Sequence, residues 1–276
     1  GSVGSWWRGL RLVAIDGTVL DVPDTASNQA HFGRPGSGRG QKKSAFPQAR
    51  VVALAECGTH AIIGAEIGAC TTGETTLARG PFTLLDEGML LLVDRGFCGY
   101  DLWSSAAATG AQLCWRTRSS AVLAVTKECA DGSYHSTLKP PQGKPGTPIT
   151  VRVVEYTLSH PTRGQDEPPI RLITTLLDPE AAPAAELAAL YSQRWEEENA
   201  FDELKTHQRG AGRVLRSKSP EMVIQEIYAH LLVFYAIRAL INQVAEPAGL
   251  DPDRVSFIRS LRVVRRQVTD QGAFSP

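Results

Sequence analysis

Four residues in one stretch, Tyr191, Arg194, Glu198 and Lys205, are spaced so that they could share one piece of chemistry. The stretch from Tyr191 to Lys205 holds no Gly, no Pro and many strong helix formers, which predicts a helix from about Ala184 to about His207. At α-helical rotation the four side chains fall within an arc of about 60°, and Leu187 and Phe201 share that side. Glu196 and Glu203 are expected to point the opposite way, to solvent. A carboxylate, an arginine, a lysine and a tyrosine on a half-buried stripe are costly unless something polar faces them. A metal ion together with a phosphate backbone satisfies all four. Asp202 lies on the same arc, so helix geometry leaves the choice between Glu198 and Asp202 open.

Two further carboxylates stand where that stripe could meet them. Arg11–Asp16 is a short apolar run closing on an acid, and Met89–Asp94 repeats the pattern. Each acid has a glycine within two residues, Gly17 and Gly96. Both runs read as central strands that end at the acid and turn. In open α/β sheets, sites collect at the carboxyl ends of strands. Three converging carboxylates repel one another, and a hard divalent cation with oxygen ligands is the usual remedy. Two such ions about 4 Å apart activate a hydroxyl and stabilise the leaving oxygen of a phosphodiester. Arg194 and Lys205 would then hold phosphates of the substrate strand. Taken singly the signals are weak: an acid at a strand end is more often a turn or a cap, and a lone glutamate more often half of a surface ion pair.

The elements that must position these groups are legible in outline. Ala49–Glu56 and Ala61–Gly68 read as a hairpin across Cys57-Gly-Thr-His60. Glu74–Leu85 reads as a helix broken at Gly80-Pro81, Tyr100–Ala108 as a helix and Gln112–Thr117 as a strand. From Ser119 to Leu177 helical patterns vanish. Val122–Lys127, Thr150–Leu158 and Ile170–Leu177 read as strands of an antiparallel β insertion with Gly- and Pro-rich links. A long helix is expected at Pro220–Ala245 and a shorter one at Asp251–Val268. Strands followed by helices, with an early hairpin, give an α/β class with a mixed sheet. The expected domain plan is one domain from 1–118 and 178–276, with residues 119–177 inserted.

Lys+Arg and Asp+Glu balance at 29 each, so net charge implies no partner, yet cations are clustered. His31–Arg50 carries Arg34, Arg39, Lys42, Lys43 and Arg50 with no acid, and Lys205–Lys218 carries five cations with none. Either is a phosphate contact or a solvated loop. Five cysteines, none in Cys-x-x-Cys, argue against a disulfide framework or a structural zinc site and favour a reducing cytoplasm. Gly1–Trp7 lacks the apolar core of a signal peptide. Met222–Ala245 is interrupted by Glu226, His230 and Arg238 and reads as a buried helix rather than a membrane span.

The spacing of Tyr191, Arg194, Glu198 and Lys205 resembles the Y-R-E-K signature of bacterial insertion-sequence DDE transposases. Asp16-Gly-Thr and Asp94-Arg-Gly-Phe resemble that group's first and second acidic motifs, and the order Asp, Asp, β insertion, Glu is similar too. The likeness runs over roughly residues 8 to 268. It implies a ribonuclease H-like fold, two Mg²⁺ ions (Mn²⁺ substituting) held by Asp16, Asp94 and Glu198, and hydroxyl-driven cutting and joining of double-stranded DNA by a homodimer on paired ends. It selects Glu198 over Asp202. It further implies that Tyr191, Arg194 and Lys205 contact DNA near the cleaved end and that Arg116 and Arg118 contact phosphates. Trp115 beside them is expected in the core. Arg39, Lys42 and Lys43 are added as phosphate contacts on charge alone. Relatives carry a helical N-terminal recognition region, and its absence here leads to the expectation of a catalytic fragment or a truncated copy acting on the nucleoid in the cytoplasm. The competing readings are a catalytically silent DNA-binding remnant and a glycosidase using Asp16 and Asp94 as its carboxylate pair. The second needs neither a third acid nor a basic stripe.

Overall fold

The computed structural model describes residues 4–36, 44–157, 169–191, 200–210 and 212–268. Its strands are β1 (Trp6–Trp7), β2 (Leu10–Asp21), β3 (Gln48–Glu56), β4 (Ile62–Ala69), β5 (Met89–Val93), β6 (Gln112–Arg116), β7 (Lys127–Glu128), β8 (Tyr134–Leu138), β9 (Ile149–Tyr156) and β10 (Ile170–Thr174). Its helices are α1 (Ala26–Phe32), α2 (Glu74–Leu77), α3 (Tyr100–Ala107), α4 (Ala184–Tyr191), α5 (Pro220–Ala245) and α6 (Phe257–Val268). All ten strands form one sheet in the order β4-β3-β2-β5-β6-β10-β9-β8-β7, with β1 added beside β2. The β2–β5 and β5–β6 pairs are parallel and the others antiparallel. This is the mixed sheet flanked by helices of a ribonuclease H-like fold.

The central strands are apolar on both sides because both sides are covered. Val13, Ile15, Leu91, Val93, Leu113 and Trp115 face α3 and the turn at Pro81–Leu84, where Trp115 stacks edge-on against Trp103 at 5.1 Å between ring centres. Trp115 is thus a core residue. Leu12, Ala14, Leu90, Leu92 and Cys114 face the other way, onto Leu187, Leu190 and Tyr191 of α4. Farther along the same face, Ala49, Val51, Ala53 and Ala55 of β3 pack against Ala200, Phe201, Leu204 and one stripe of α5.

Several expectations change. β2 does not turn at Asp16 but runs on to Asp21, because β3 keeps pairing with it as far as Asp21↔Gln48. Of the expected strand Val122–Lys127 only Lys127 is paired, together with Glu128 just beyond it, whereas β8 was not foreseen. The strands of 119–177 add to β6 through β10 and so continue the same sheet. Residues 200–208 are helical, as expected, but Glu203–Gln208 forms a π turn. The helix expected from Asp251 starts at Phe257, after a 3₁₀ turn at Pro252–Arg254 whose cap is the Asp251 side chain. α5 is long and apolar enough to cross a membrane by length and composition alone. Here Val223, Ile227, Phe234, Ile237 and Ile241 bury one stripe against the sheet, while Leu232, Tyr235 and Val244 lie exposed.

Candidate active site

The parallel register of β2 and β5 ends at Ile15↔Val93, so Asp16 and Asp94 are the next residues on two adjacent strands. Neighbouring strands lie about 4.8 Å apart. Asp94 keeps an extended backbone, at φ −80° and ψ 164°, so the alternation of side chains carries through it. Both aspartates therefore belong to the face of Leu12, Ala14, Leu90 and Leu92, the face on which α4 lies. On the next parallel strand Val93 pairs with Trp115, which puts Arg116 level with Asp94 and on the side of Cys114. Asp16, Asp94 and Arg116 thus form a row across three strands where their parallel pairing ends, at the C-terminal ends of β5 and β6 and midway along β2, and the C-terminal ends of strands are where open α/β sheets place ligands. Arg118 follows on the exposed link beyond.

The two carboxylates are partly buried and held differently. The Gly17 N–H donates to Asp16 Oδ1 at 2.8 Å. Gly17 is small for a reason the sequence did not suggest. A Cβ there would stand 2.8 Å from the Glu74 side chain, which lies across the strand at this point. In Asp94, Oδ1 is buried and has no hydrogen-bond partner among the described residues. A buried carboxylate oxygen without a donor is costly unless a cation takes that place. Oxygen donors side by side where two strands stop pairing in parallel suit Mg²⁺, which binds through one or two carboxylates and keeps several waters. Among the described residues no three His, Cys, Asp or Glu side chains converge on a metal position. The expected third ligand, Glu198, lies outside the described residues, as do Arg194, Arg39, Lys42 and Lys43.

What is described is the anchoring on either side of Glu198. The Tyr191 hydroxyl donates to the Val93 carbonyl at 3.1 Å, one residue before Asp94, and Tyr191 is 3% exposed. It clamps the end of α4 to the end of β5 and offers almost no surface to a DNA strand, contrary to the expectation of direct contact. Ala200, Phe201 and Leu204 are buried on the same face of the sheet. Lys205 is half-buried within the π turn. A π turn closes i→i+5 bonds, so the arc drawn at α-helical rotation does not extend to Lys205. Glu203, expected in solvent, is instead ion-paired with Arg238.

The basic stretches divide. Arg34 pairs with Asp24 and donates to the Ser44 carbonyl at 3.0 Å, and Arg50 lies 3.9 Å from Glu74, so both have partners in the protein. Glu226 accepts from the backbone N–H groups of Arg216 and Ser217 at 2.9–3.1 Å. Burial pushes the Glu226 carboxyl up, and these hydrogen bonds outweigh it, so its pKa is lowered. Arg213, Arg216 and Lys218 keep exposed side chains. Arg209, Arg213, Arg216 and Arg265 line a cleft of about 580 Å³. Cys114, buried beneath the row of aspartates, has its thiol pushed up to about 12 by burial, so it is no nucleophile at neutral pH.

Comparison with known proteins adds independent findings. The model of the family described as "Transposase DDE domain" matches residues 7–235. The chain is 30% identical to the transposase InsG for insertion sequence element IS4 of Escherichia coli, over 97% of this chain and 61% of that protein. It is 28% identical to InsZ of the same organism, named as a candidate transposase, over 40% of this chain and 36% of that protein. The chain thus spans less than two thirds of the length of either relative.

Proposed function

The chain belongs to the family of DDE transposases, and from that membership we propose that it cuts and rejoins DNA at transposon ends with Asp16, Asp94 and Glu198 as its catalytic carboxylates. The observation that carries the reading is the register of β2 and β5, which sets Asp16 beside Asp94 with a buried oxygen of Asp94 that has no partner among the described residues. These two residues, completed by Glu198, would hold a pair of Mg²⁺ ions, with Mn²⁺ substituting. When bound, the ions supply the Lewis acidity that turns a hydroxyl into a nucleophile and stabilises the leaving 3′ oxygen of a phosphodiester.

The remaining work falls to the chain's own side chains. Arg116, level with Asp94, takes a non-bridging phosphate oxygen by a charge-assisted hydrogen bond. Arg118, Arg194 and Lys205 hold the backbone of the bound strand on either side of that phosphate, fixing its position without reading sequence. The Gly17 N–H keeps the Asp16 carboxylate aimed along the row. Tyr191 holds the end of β5 and so the backbone entering Asp94. Double-stranded DNA is the partner, a homodimer on paired ends the working form, and the nucleoid in the bacterial cytoplasm the place of action.

Asp94→Asn tests this. The variant is expected to fold, to bind DNA as the native chain does, and to lose Mg²⁺-dependent strand nicking down to background on gel electrophoresis. Retention of the native nicking rate sinks the catalytic assignment. Salt-sensitive binding without any Asp94-dependent nicking in the native chain leaves a DNA-binding module only.

A further inference from the structure

Helix α5 spends one stripe on the sheet and is apolar over most of the rest. Between Tyr228 and Val244 every exposed position of the helix is uncharged, and the one arginine of that span, Arg238, is buried. A helix that is apolar all round belongs in an interior, and a large continuous apolar patch on a surface marks a place of contact.

The exposed face has relief. Met222, Val233, Leu240 and Val244 fall within an arc of about 40° at α-helical rotation, and they form a ridge whose members are between 43% and 59% exposed. Beside the ridge, Tyr228, Leu232 and Tyr235 wall a hollow of about 420 Å³ that reaches Ile62–Ala65 of the edge strand β4. The Tyr228 hydroxyl donates to the Ala65 carbonyl at 3.2 Å and so fixes that wall against the strand. Leu232, at the lip of the hollow, is 69% exposed. Ala229 and Ala236 stand between ridge and hollow and raise no barrier.

A ridge and a hollow side by side make the face complementary to itself. A twofold axis across it sets the ridge of each copy into the hollow of the other, the isologous arrangement of most dimers. A charged partner would find nothing on this face to pair with, whereas the face meets its own copy with no like-charge contact. The area also fits: the ridge and the hollow expose on the order of 700 Å² per copy, close to the roughly 800 Å² that each partner of a standard interface buries.

We infer that this face of α5, with the hollow beside β4, is the surface on which two copies of the chain pair. The inference rests on the homodimer of the proposed function, to which it gives an interface, and on none of the carboxylate assignments.

The test is sedimentation velocity of the full DNA-free chain. At about 100 µM, well above the micromolar weak end for an interface of this size, native protein should run as a dimer. Leu232→Glu, in the wall of the hollow, and Leu240→Glu, on the ridge, should each weaken the pairing about 100-fold or more, because each sets an unpaired charge into both halves of the contact. Glutamate is a good helix former and both sites face solvent in the single chain, so circular dichroism should not change. Val263→Glu is the control: that valine of α6 is 45% exposed and lies outside the face, and its loss should leave the dimer intact. A dimer that survives either Leu232→Glu or Leu240→Glu overturns the inference and leaves a homodimer with another interface. Equal dissociation in Val263→Glu overturns it too. A native chain that stays monomeric at this concentration overturns the inference and the DNA-free homodimer together, while Asp94-dependent nicking by that chain would still stand.

Discussion

Tyr191 donates to the Val93 carbonyl from a buried position, so its hydroxyl acts on the backbone that delivers Asp94. Tyr191→Phe keeps the ring in its core and removes the bond to Val93. The expected cost is about 1 kcal/mol of unfolding free energy, the usual net worth of such a bond, read by urea denaturation. DNA affinity should stay within about twofold, because a buried hydroxyl has no phosphate to lose. A large fall in affinity with stability intact would instead return Tyr191 to the DNA surface. The two aspartates were legible from sequence because each closes an apolar run, and such a run can hardly be anything but a buried strand. Gly17 was misread as a turn. What it serves is the close approach of Glu74, a contact between residues 57 positions apart that no local pattern records.

Between elements, the clearest departure is the segment around Lys205. Its helix was foreseen from composition, but the π turn at Glu203–Gln208 was not, since a change of helical pitch leaves no trace in residue types. Arg238 was equally opaque. A charge in an apolar helix looks like a surface interruption until His60, 178 residues away, is folded against it. This junction has a pH signature. Burial pushes His60 down and so does the Arg238 charge, and the neighbouring carboxylates of Asp253 and Glu203 outweigh both, so its pKa is raised. Burial pushes Asp253 up, and His60 and Arg238 outweigh that, so its pKa is lowered. The histidine contribution is complete below the ordinary pKa of about 6.5 and fades as pH climbs through the raised value. The carboxylate contribution is complete above the ordinary pKa of about 3.9 and fades as pH falls through the lowered one. The junction therefore holds best between roughly pH 4 and 6.5. His60→Asn, chosen because asparagine tolerates the positive φ of 57° found there, should lower the melting temperature more at pH 5.5 than at pH 8.5. A pH-independent difference would show that His60 is not charged in the folded protein.

For the whole molecule, charge balance concealed an uneven distribution. Arg34 and Arg50 are engaged with Asp24 and Glu74, so their share of the basic loop serves the fold. Lys42 and Lys43 lie outside the described residues; if they contact phosphates as proposed on charge, neutralising both should lower the slope of log affinity against log salt by about 1.8 on duplex DNA. An unchanged slope places them in solvent. The sheet itself carries a consequence in time. Strand β10 pairs with β6 on one side and β9 on the other, yet it is made more than fifty residues after β6. During synthesis the strand that bears Arg116 therefore leaves the ribosome with one edge open, and it stays open until Ile170–Thr174 arrives to close it. An open apolar edge is a template for pairing with other chains. The half of the protein that carries both aspartates is thus assembled first and sealed late, and the interval between is when a nascent chain most needs a chaperone.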